Sequence, residues 1–418
     1  MNEEQLRKLA AYSVIFMMIV AMCGIYVNHY YSIEAADTIN VDAGMNLKNL
    51  SKCMQQIVTA ALKEIQQNAA TNTIQLERTE EIEKKLGKHY IKIKRTDQEI
   101  KDITLVDMYE QQKIAVLFRD KQSEEHTMDI KTTDISLVRE GREYSYDAKN
   151  EKYPEIVKDI KIFTGLEKDE NSKVIYNKML EIDNSGRRIE AAKVCCRVEI
   201  QLNEVYAYDL YADQEYIYIN VQPLREVYDS IIVIDAGHGG KDTGTGAITG
   251  KETEKDINLA IVKRLSKYLE QEEKIKVYYT RLTDKGVSLE GRVSLANTLG
   301  ADLFLSVHCN SSDEAPVASG IEVLYKNEGE EKEASKKFAK IILNHLIENT
   351  GRKKRRILKG NHIYIIRNAN MPVALAELGF LDDASDLFFV KSEEGQDALA
   401  KGMYEGILEM LSKMGSVE

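Results

Sequence analysis

Beyond about residue 229 the chain repeats one alternation, a short apolar run followed by a longer amphipathic stretch. Apolar runs fall at 231–234, 275–280, 303–307, 321–325, 362–366 and 373–378, each the length of a single strand. Between them apolar residues return at helical spacing. The stretch 255–269 puts Ile257, Ile261, Leu265 and Leu269 on one face; 289–299 is stopped by Gly300; 333–348 and a last stretch near 396–410 follow. Strands alternating with helices of this length imply a mostly parallel sheet flanked by helices, an α/β domain. In such sheets ligands collect at the carboxyl ends of the strands.

Residues 37–228 have a different texture. Leu47, Leu50, Met54, Ile57, Ala61 and Ile65 mark an amphipathic helix over 45–65. After it, "KIAVLFRD", "DISLVREGREYSYD" and "CRVEIQLNEVYAYDLYADQEYIYINV" alternate with a period of two and are broken by polar turns. That pattern predicts a mixed α/β or mostly β domain. Tyr206, Tyr208, Tyr211, Tyr216 and Tyr218 fall at strand spacing within it. Such rings could stack on sugars, but sheet packing is the expectation. No catalytic motif occurs here.

The N-terminus reads differently again. Residues 9–27, "LAAYSVIFMMIVAMCGIYV", carry no charge and are long enough to cross a hydrocarbon core as a helix. Arg7 and Lys8 precede them, which leaves the N-terminus in the cytoplasm and the remainder outside. A cleaved signal peptide would need a small-x-small site, and "YYSIEAAD" supplies none, so an uncleaved anchor is expected. The predicted organisation is an anchor over 1–36, an extracytoplasmic domain over 37–228 and an α/β domain over 229–418.

Composition narrows the chemistry. A net charge of −11 over 418 residues excludes nucleic-acid binding through a globally basic surface. The five Cys form no CxxC pair, which excludes a cysteine zinc site and a disulfide framework. Cys195 and Cys196 read as strand neighbours on opposite faces.

The chain has only 7 His, and one of them, His238, sits among glycines in "IVIDAGHGGK" at the end of the first predicted strand. His308 ends "DLFLSV", Glu254 opens the helix in "TEKDINLA", and Glu377 lies inside the apolar run "VALAELGF". Each has a bland explanation. A lone His at a strand end is usually a satisfied polar residue, and Glu254 could simply favour a helix N-terminus. Glu377 is harder to dismiss, because an unpaired carboxylate in an apolar strand is expensive to bury. Two His and one carboxylate can close three corners of a tetrahedral zinc site and leave the fourth open for water.

Six stretches in order, "IVIDAGHGGKDTG", "ETEKDINLA", "YTRLTD", "LEGRVSLANTLGADLFLSVHCNSS", "GIEVLY" and "MPVALAELGFLDD", resemble the zinc-dependent N-acetylmuramoyl-L-alanine amidases, bacterial cell-wall enzymes. The resemblance covers about residues 231–412 and nothing before them. It implies zinc ligands at His238, Glu254 and His308 and a catalytic glutamate at Glu377. It also implies cleavage of the amide between N-acetylmuramic acid and L-alanine in peptidoglycan; the N-terminal anchor read above would hold that catalytic domain facing the wall from a single-pass segment in the cell membrane. The expected partners are peptidoglycan as substrate and the membrane through the N-terminal helix, with room for a protein activator and, from the net charge, no nucleic acid. Competing readings are another zinc peptidase or carboxypeptidase, and a non-catalytic wall-binding protein.

Lesser expectations follow. Cys309 is a packing residue rather than a nucleophile. Asp242 holds the glycine loop, and Asn310 fixes its own loop or touches substrate. Glycines 237, 239 and 240 turn the strand so that substrate passes close to the backbone. Some cell-division members carry a long helical plug after the strand matching "GIEVLY"; here only "NEGEEKE" precedes the next helix, so no plug is expected. "GRKKRRILKG" (351–360) reads as a solvated loop or as a contact for anionic wall polymer or substrate carboxylates. Residues 37–228 are expected to target the wall or to regulate.

Overall fold

Period-two alternation before residue 224 becomes two antiparallel sheets in the computed structural model. The model describes residues 76–97, 102–119, 128–146, 156–164, 194–312 and 318–415. The expected membrane segment at 9–27 and the amphipathic helix at 45–65 lie outside the described residues. Among the described residues no helix is long and apolar enough to cross a membrane. A short helix α1 (Thr79–Glu83) leads into β1 (His89–Lys94), β2 (Asp102–Met108), β3 (Lys113–Arg119), β4 (Ile135–Arg139), β5 (Arg142–Ser145), β6 (Val157–Thr164), β7 (Val194–Leu202), β8 (Tyr206–Ala212) and β9 (Tyr216–Pro223).

One sheet runs β5-β4-β1-β9-β8 and the other β2-β3-β7-β6. Alternate residues meet in a common core: Ile91, Ile93, Ile217 and Ile219 from the first, Val116, Phe118, Cys196 and Val198 from the second. The region is thus mostly β. Its tyrosines pack as the spacing suggests, Tyr218 being buried with its ring 6.3 Å from that of Tyr216 and its hydroxyl donated to Asp213.

A short helix α2 (Leu224–Val227) leads to the second architecture: β10 (Ser230–Ala236), α3 (Glu254–Leu269), β11 (Ile275–Tyr279), α4 (Leu289–Thr298), β12 (Leu303–Asn310), β13 (Ile321–Tyr325), α5 (Lys332–Thr350), β14 (Lys354–Lys359), α6 (Tyr364–Asn368), β15 (Val373–Phe380), α7 (Ala384–Lys391) and α8 (Glu393–Met414). Six strands order as β11-β10-β12-β15-β13-β14. All neighbours are parallel except β13 against β15. Within β10, Ile232 and Ile234 face α3, α5 and α8 through Ile257, Ile261, Phe338, Ile342 and Met403. Ile231 and Val233 face the opposite layer, with Val293 of α4 and Ile365 of α6. This two-sided burial is why the strands read as unbroken apolar runs.

Two expectations fail here. Residues 362–366 are not a strand: 364–368 form helix α6, which buries Ile365 and Ile366 against the sheet. A short apolar run carries no period long enough to tell helix from strand. The sixth strand is β14, inside the basic stretch expected to be a loop. An edge strand tolerates charge, and only Ile357 and Leu358 of β14 pack on the two cores. As expected, no plug separates β13 from α5, which residues 326–331 join directly.

Residues 74–418 form one compact unit. Tyr109, Ala207 and Leu224 of the β region belong to the same apolar cluster as Ile231, Val233 and Tyr278 of the α/β region. Packing is therefore continuous across residue 229.

Candidate metal centre

Parallel pairing sets Asp235 of β10 opposite Ser306 of β12, so the two strands end side by side. His238 leaves just beyond β10, and His308 projects from the end of β12. Glu254, buried, is the first residue of α3. Ligand atoms from the three side chains all lie within 4.8 Å of one another. His238 Nε2 lies 3.1 Å from Glu254 Oε2, and His308 Nδ1 2.9 Å from Glu254 Oε1. The Cys309 amide also donates to Glu254 Oε1, at 3.1 Å.

His238 has φ 61, a left-handed backbone that non-glycine residues seldom adopt. Such strain persists only where the surroundings over-determine it, typically at a functional site. Asp242 supplies part of that constraint, its Oδ2 lying 2.9 Å from His238 Nδ1 while its Oδ1 accepts from the Gly244 amide. A carboxylate behind a metal-binding imidazole fixes tautomer and ring orientation. The neighbouring glycines turn the chain as expected, Gly239 and Gly240 having φ 133 and 60, and they also make room for protein. A Cβ on Gly237 would lie 2.3 Å from His308 Cε1, and one on Gly239 would lie 2.2 Å from the Lys285 carbonyl. That space is filled by the second histidine and by backbone of residues 285–286.

The electrostatics are strongly coupled. Burial pushes the Glu254 carboxyl up, but hydrogen bonds and charge from His238 and His308 outweigh it and hold it well below the ordinary range. Burial likewise opposes protonation of His238, yet Glu254 and Asp242 raise it to about 9. Glu377 behaves oppositely. Register places it beside His308 of β12 on one side and Glu322 of β13 on the other. Its Oε2 is buried and has no hydrogen-bond partner among the described residues. Burial, reinforced by Glu254 and Glu322 and opposed by His308 and His238, pushes its pKa up to about 7.

Three charged residues that the sequence reading passed over lie beneath this site. Asp235 is fully buried, accepting from Arg292 Nη1 at 2.5 Å, Thr280 Oγ1 at 2.6 Å and Ser306 Oγ at 2.6 Å. Burial raises its pKa, but Arg292, His308 and these hydroxyls bring it below the ordinary value. Arg292 also donates to the carbonyls of Ala236 and His238. Arg281 donates to the carbonyls of Ala236, Gly237 and Lys255 at 2.8, 2.7 and 2.9 Å. Asp235 in "IVIDAG" is, like Glu377, a charge inside an apolar strand.

Asn310 fixes its surroundings, donating to Glu322 Oε1 at 3.1 Å and accepting from the Ser311 amide. Cys309 is buried in the core, and burial first, then Glu254 and Glu377, push its thiol well up, which disfavours the thiolate a nucleophile needs. Two cations of the basic run are already paired, Arg355 with Glu322 and Arg352 with Asp386. A cleft of about 220 Å³ opens at His238 and His308, walled by Val287, Leu289, Arg292 and Ile365.

Two imidazoles and a carboxylate gathered at the carboxyl end of an α/β sheet, with a further carboxyl held near neutrality beside them, have the composition of a metal-assisted hydrolase site. Comparison with known proteins makes the class specific. The N-acetylmuramoyl-L-alanine amidase family matches residues 232–409. The chain is 35% identical over 199 residues to the germination-specific N-acetylmuramoyl-L-alanine amidase of Bacillus subtilis (strain 168), covering 44% of this chain and 81% of that one. It is 36% identical over 186 residues to the uncharacterized protein YqiI of the same organism, covering 44% and 87%. Among solved structures it is similar to the N-acetylmuramoyl-L-alanine amidase of Clostridium difficile 630, with 35% identity, 46% of this chain and 99% of that one covered, and a TM-score of 0.42. The chain belongs to the N-acetylmuramoyl-L-alanine amidase family. It is a peptidoglycan hydrolase that cleaves the amide between N-acetylmuramic acid and L-alanine.

Proposed function

We propose that this amidase works with a zinc ion held by His238, Glu254 and His308, with Glu377 as general base. The convergence of those three side chains carries the reading. The donors fit zinc: two imidazoles and one carboxylate are its usual partners in open, catalytic sites, and Asp242 supports one imidazole from behind. Zinc in such a site supplies Lewis acidity at the carbonyl to be attacked and lowers the pKa of water.

The protein's own groups do the rest. Glu377, with a pKa of about 7, can take a proton from the attacking water and return it to the departing L-alanine nitrogen. Its Oε2 has no competing hydrogen bond from the described residues. Val287, Leu289 and Ile365 give the cleft an apolar wall suited to the methyl groups of the lactyl and alanyl units. Residues 9–27, behind Arg7 and Lys8, would anchor the chain in the cell membrane with the catalytic region facing the wall.

Wild type and Glu377→Gln would be incubated with purified peptidoglycan, each zinc-loaded and chelated, and stem peptides with a free L-alanine amine counted by mass spectrometry. Release by zinc-loaded wild type alone is expected. Equal release by chelated wild type would remove the zinc, and equal release by the variant would remove Glu377 from its role. Recovery of the full chain in the soluble rather than the membrane fraction would overturn the anchor.

A further inference from the structure

We propose that the turn between β2 and β3 positions the metal-binding loop, acting through Tyr109 and Glu110; the zinc reading enters only as the identity of the ion. The loop at 236–240 is gripped by residues 280–286. Arg281, only 1% exposed, holds the carbonyls of Ala236 and Gly237. Asp284 accepts from the Gly240 amide at 2.7 Å and from Lys255 Nζ at 2.7 Å, and the same Nζ donates to the Gly240 carbonyl. The Lys285 carbonyl and the Gly286 amide occupy the places where side chains on Gly239 and Gly240 would lie. Together these contacts fix the backbone on both sides of His238, whose left-handed conformation depends on being over-determined.

Residues 280–286 are themselves tied down at both ends by the β region. At one end Tyr109, buried, donates its hydroxyl to the Tyr279 carbonyl at 2.6 Å and accepts from the Tyr279 amide at 3.2 Å. Its ring meets Tyr278 edge-on at 4.7 Å. β11 is an edge strand, so one phenol satisfies an N–H and a C=O that lack a strand partner. At the other end Glu110 pairs with Lys285 at 2.6 Å. Consecutive residues of one tight turn therefore brace the start and the finish of the segment that holds the His238 loop. Tyr109 and Glu110 are positioning residues, two steps removed from the donors.

The test uses the full chain as wild type, Tyr109→Phe, Glu110→Lys, Lys285→Glu and the double variant carrying both charge changes. Hydrogen exchange is followed in peptides spanning 236–246 and 280–288, with a peptide from α8 as control, beside kcat and KM on peptidoglycan fragments. Tyr109→Phe keeps the ring and removes one buried hydroxyl, so exchange in both peptides should rise by about tenfold while α8 is unchanged. The value of kcat should fall by a similar factor with KM within about twofold, as for a loss felt in the transition state. Each single charge change should act in the same direction, and the double variant should recover. Unchanged exchange at 236–246 in all three single variants, or a fall in kcat without it, would overturn the proposal. A chain that takes up no zinc would sink the zinc reading alone, because the exchange comparison involves no ion.

Discussion

Replacing Glu377 by Gln probes the site through stability rather than turnover. In the folded chain this carboxyl titrates at about 7, against an ordinary 4.5. An acid whose pKa rises on folding binds its proton more tightly in the native state. Its effect is nil below pH 4.5, where folded and unfolded chains are both protonated, and then becomes a penalty that grows until pH 7 and levels off. At about 1.4 kcal/mol per pH unit, that window amounts to about 3 kcal/mol. Gln has the same shape and no charge, so it should escape the penalty. Any cost of burying its amide beside the unpaired Oε2 position is independent of pH and shifts the baseline only. His238, raised from 6.5 to about 9, contributes stability that is full below 6.5 and lost as pH rises through 9. Both proteins share most of that slope; the part that differs is the interaction of Glu377 with His238, already counted in the Glu377 shift. Urea unfolding of chelator-treated wild type and variant, followed by circular dichroism at pH 5 and pH 8, measures the quantity. With part of the penalty already present at pH 5, the variant should gain about 2.5 kcal/mol on wild type between those two values. A difference that does not move with pH would refute the argument that burial holds Glu377 protonated.

Other perturbations separate the neighbouring roles. Asp242→Ala should weaken zinc binding by about 10- to 100-fold in competition with a chromogenic chelator, since Asp242 is the hydrogen-bond partner of His238 Nδ1 among the described residues; unchanged affinity would remove Asp242 from the site's support. Asp235→Asn leaves Arg292 buried without its carboxylate and should cost about 3–5 kcal/mol in urea unfolding, so a loss below 1 kcal/mol would show that water reaches the pair. Gly237→Ala drives a methyl to within 2.3 Å of the His308 ring, and turnover should drop by about 100-fold while circular dichroism stays native. Cys309→Ala should retain kcat within about twofold; abolished turnover in a folded variant would return the thiol to the mechanism.

Much of this was legible in the residues. Helical spacing located α3, α4, α5 and α8 because each buries one stripe against a sheet covered on both faces. His238 and His308 stood at strand ends and Glu377 inside an apolar run, while Glu254 read only as a helix opener until the family resemblance gave it a role. What stayed hidden depended on tertiary context. The reversed direction of β13, which brings Glu322 to Glu377, has no signature within five apolar-rich residues. β14 was masked by its charges, and α6 by a run too short to show a period. The partners of Arg281 are backbone carbonyls, which no sequence pattern announces. The hold of Tyr109 on Tyr279 joins residues 170 positions apart.

The core shared across residue 229 also bears on how this amidase can be handled as a reagent. A chain cut at Asp229 would carry the Tyr278 ring and the outward edge of β11 uncovered, since Tyr109 would be gone. A bare strand edge beside an apolar ring is a template for sticking to its own copies. Retaining residues 76–228 would thus act as a built-in solubility partner, and shortening the protein would exchange a smaller enzyme for one inclined to aggregate. Sedimentation of the two forms at equal concentration would register the difference, and a monodisperse short form would dismiss it.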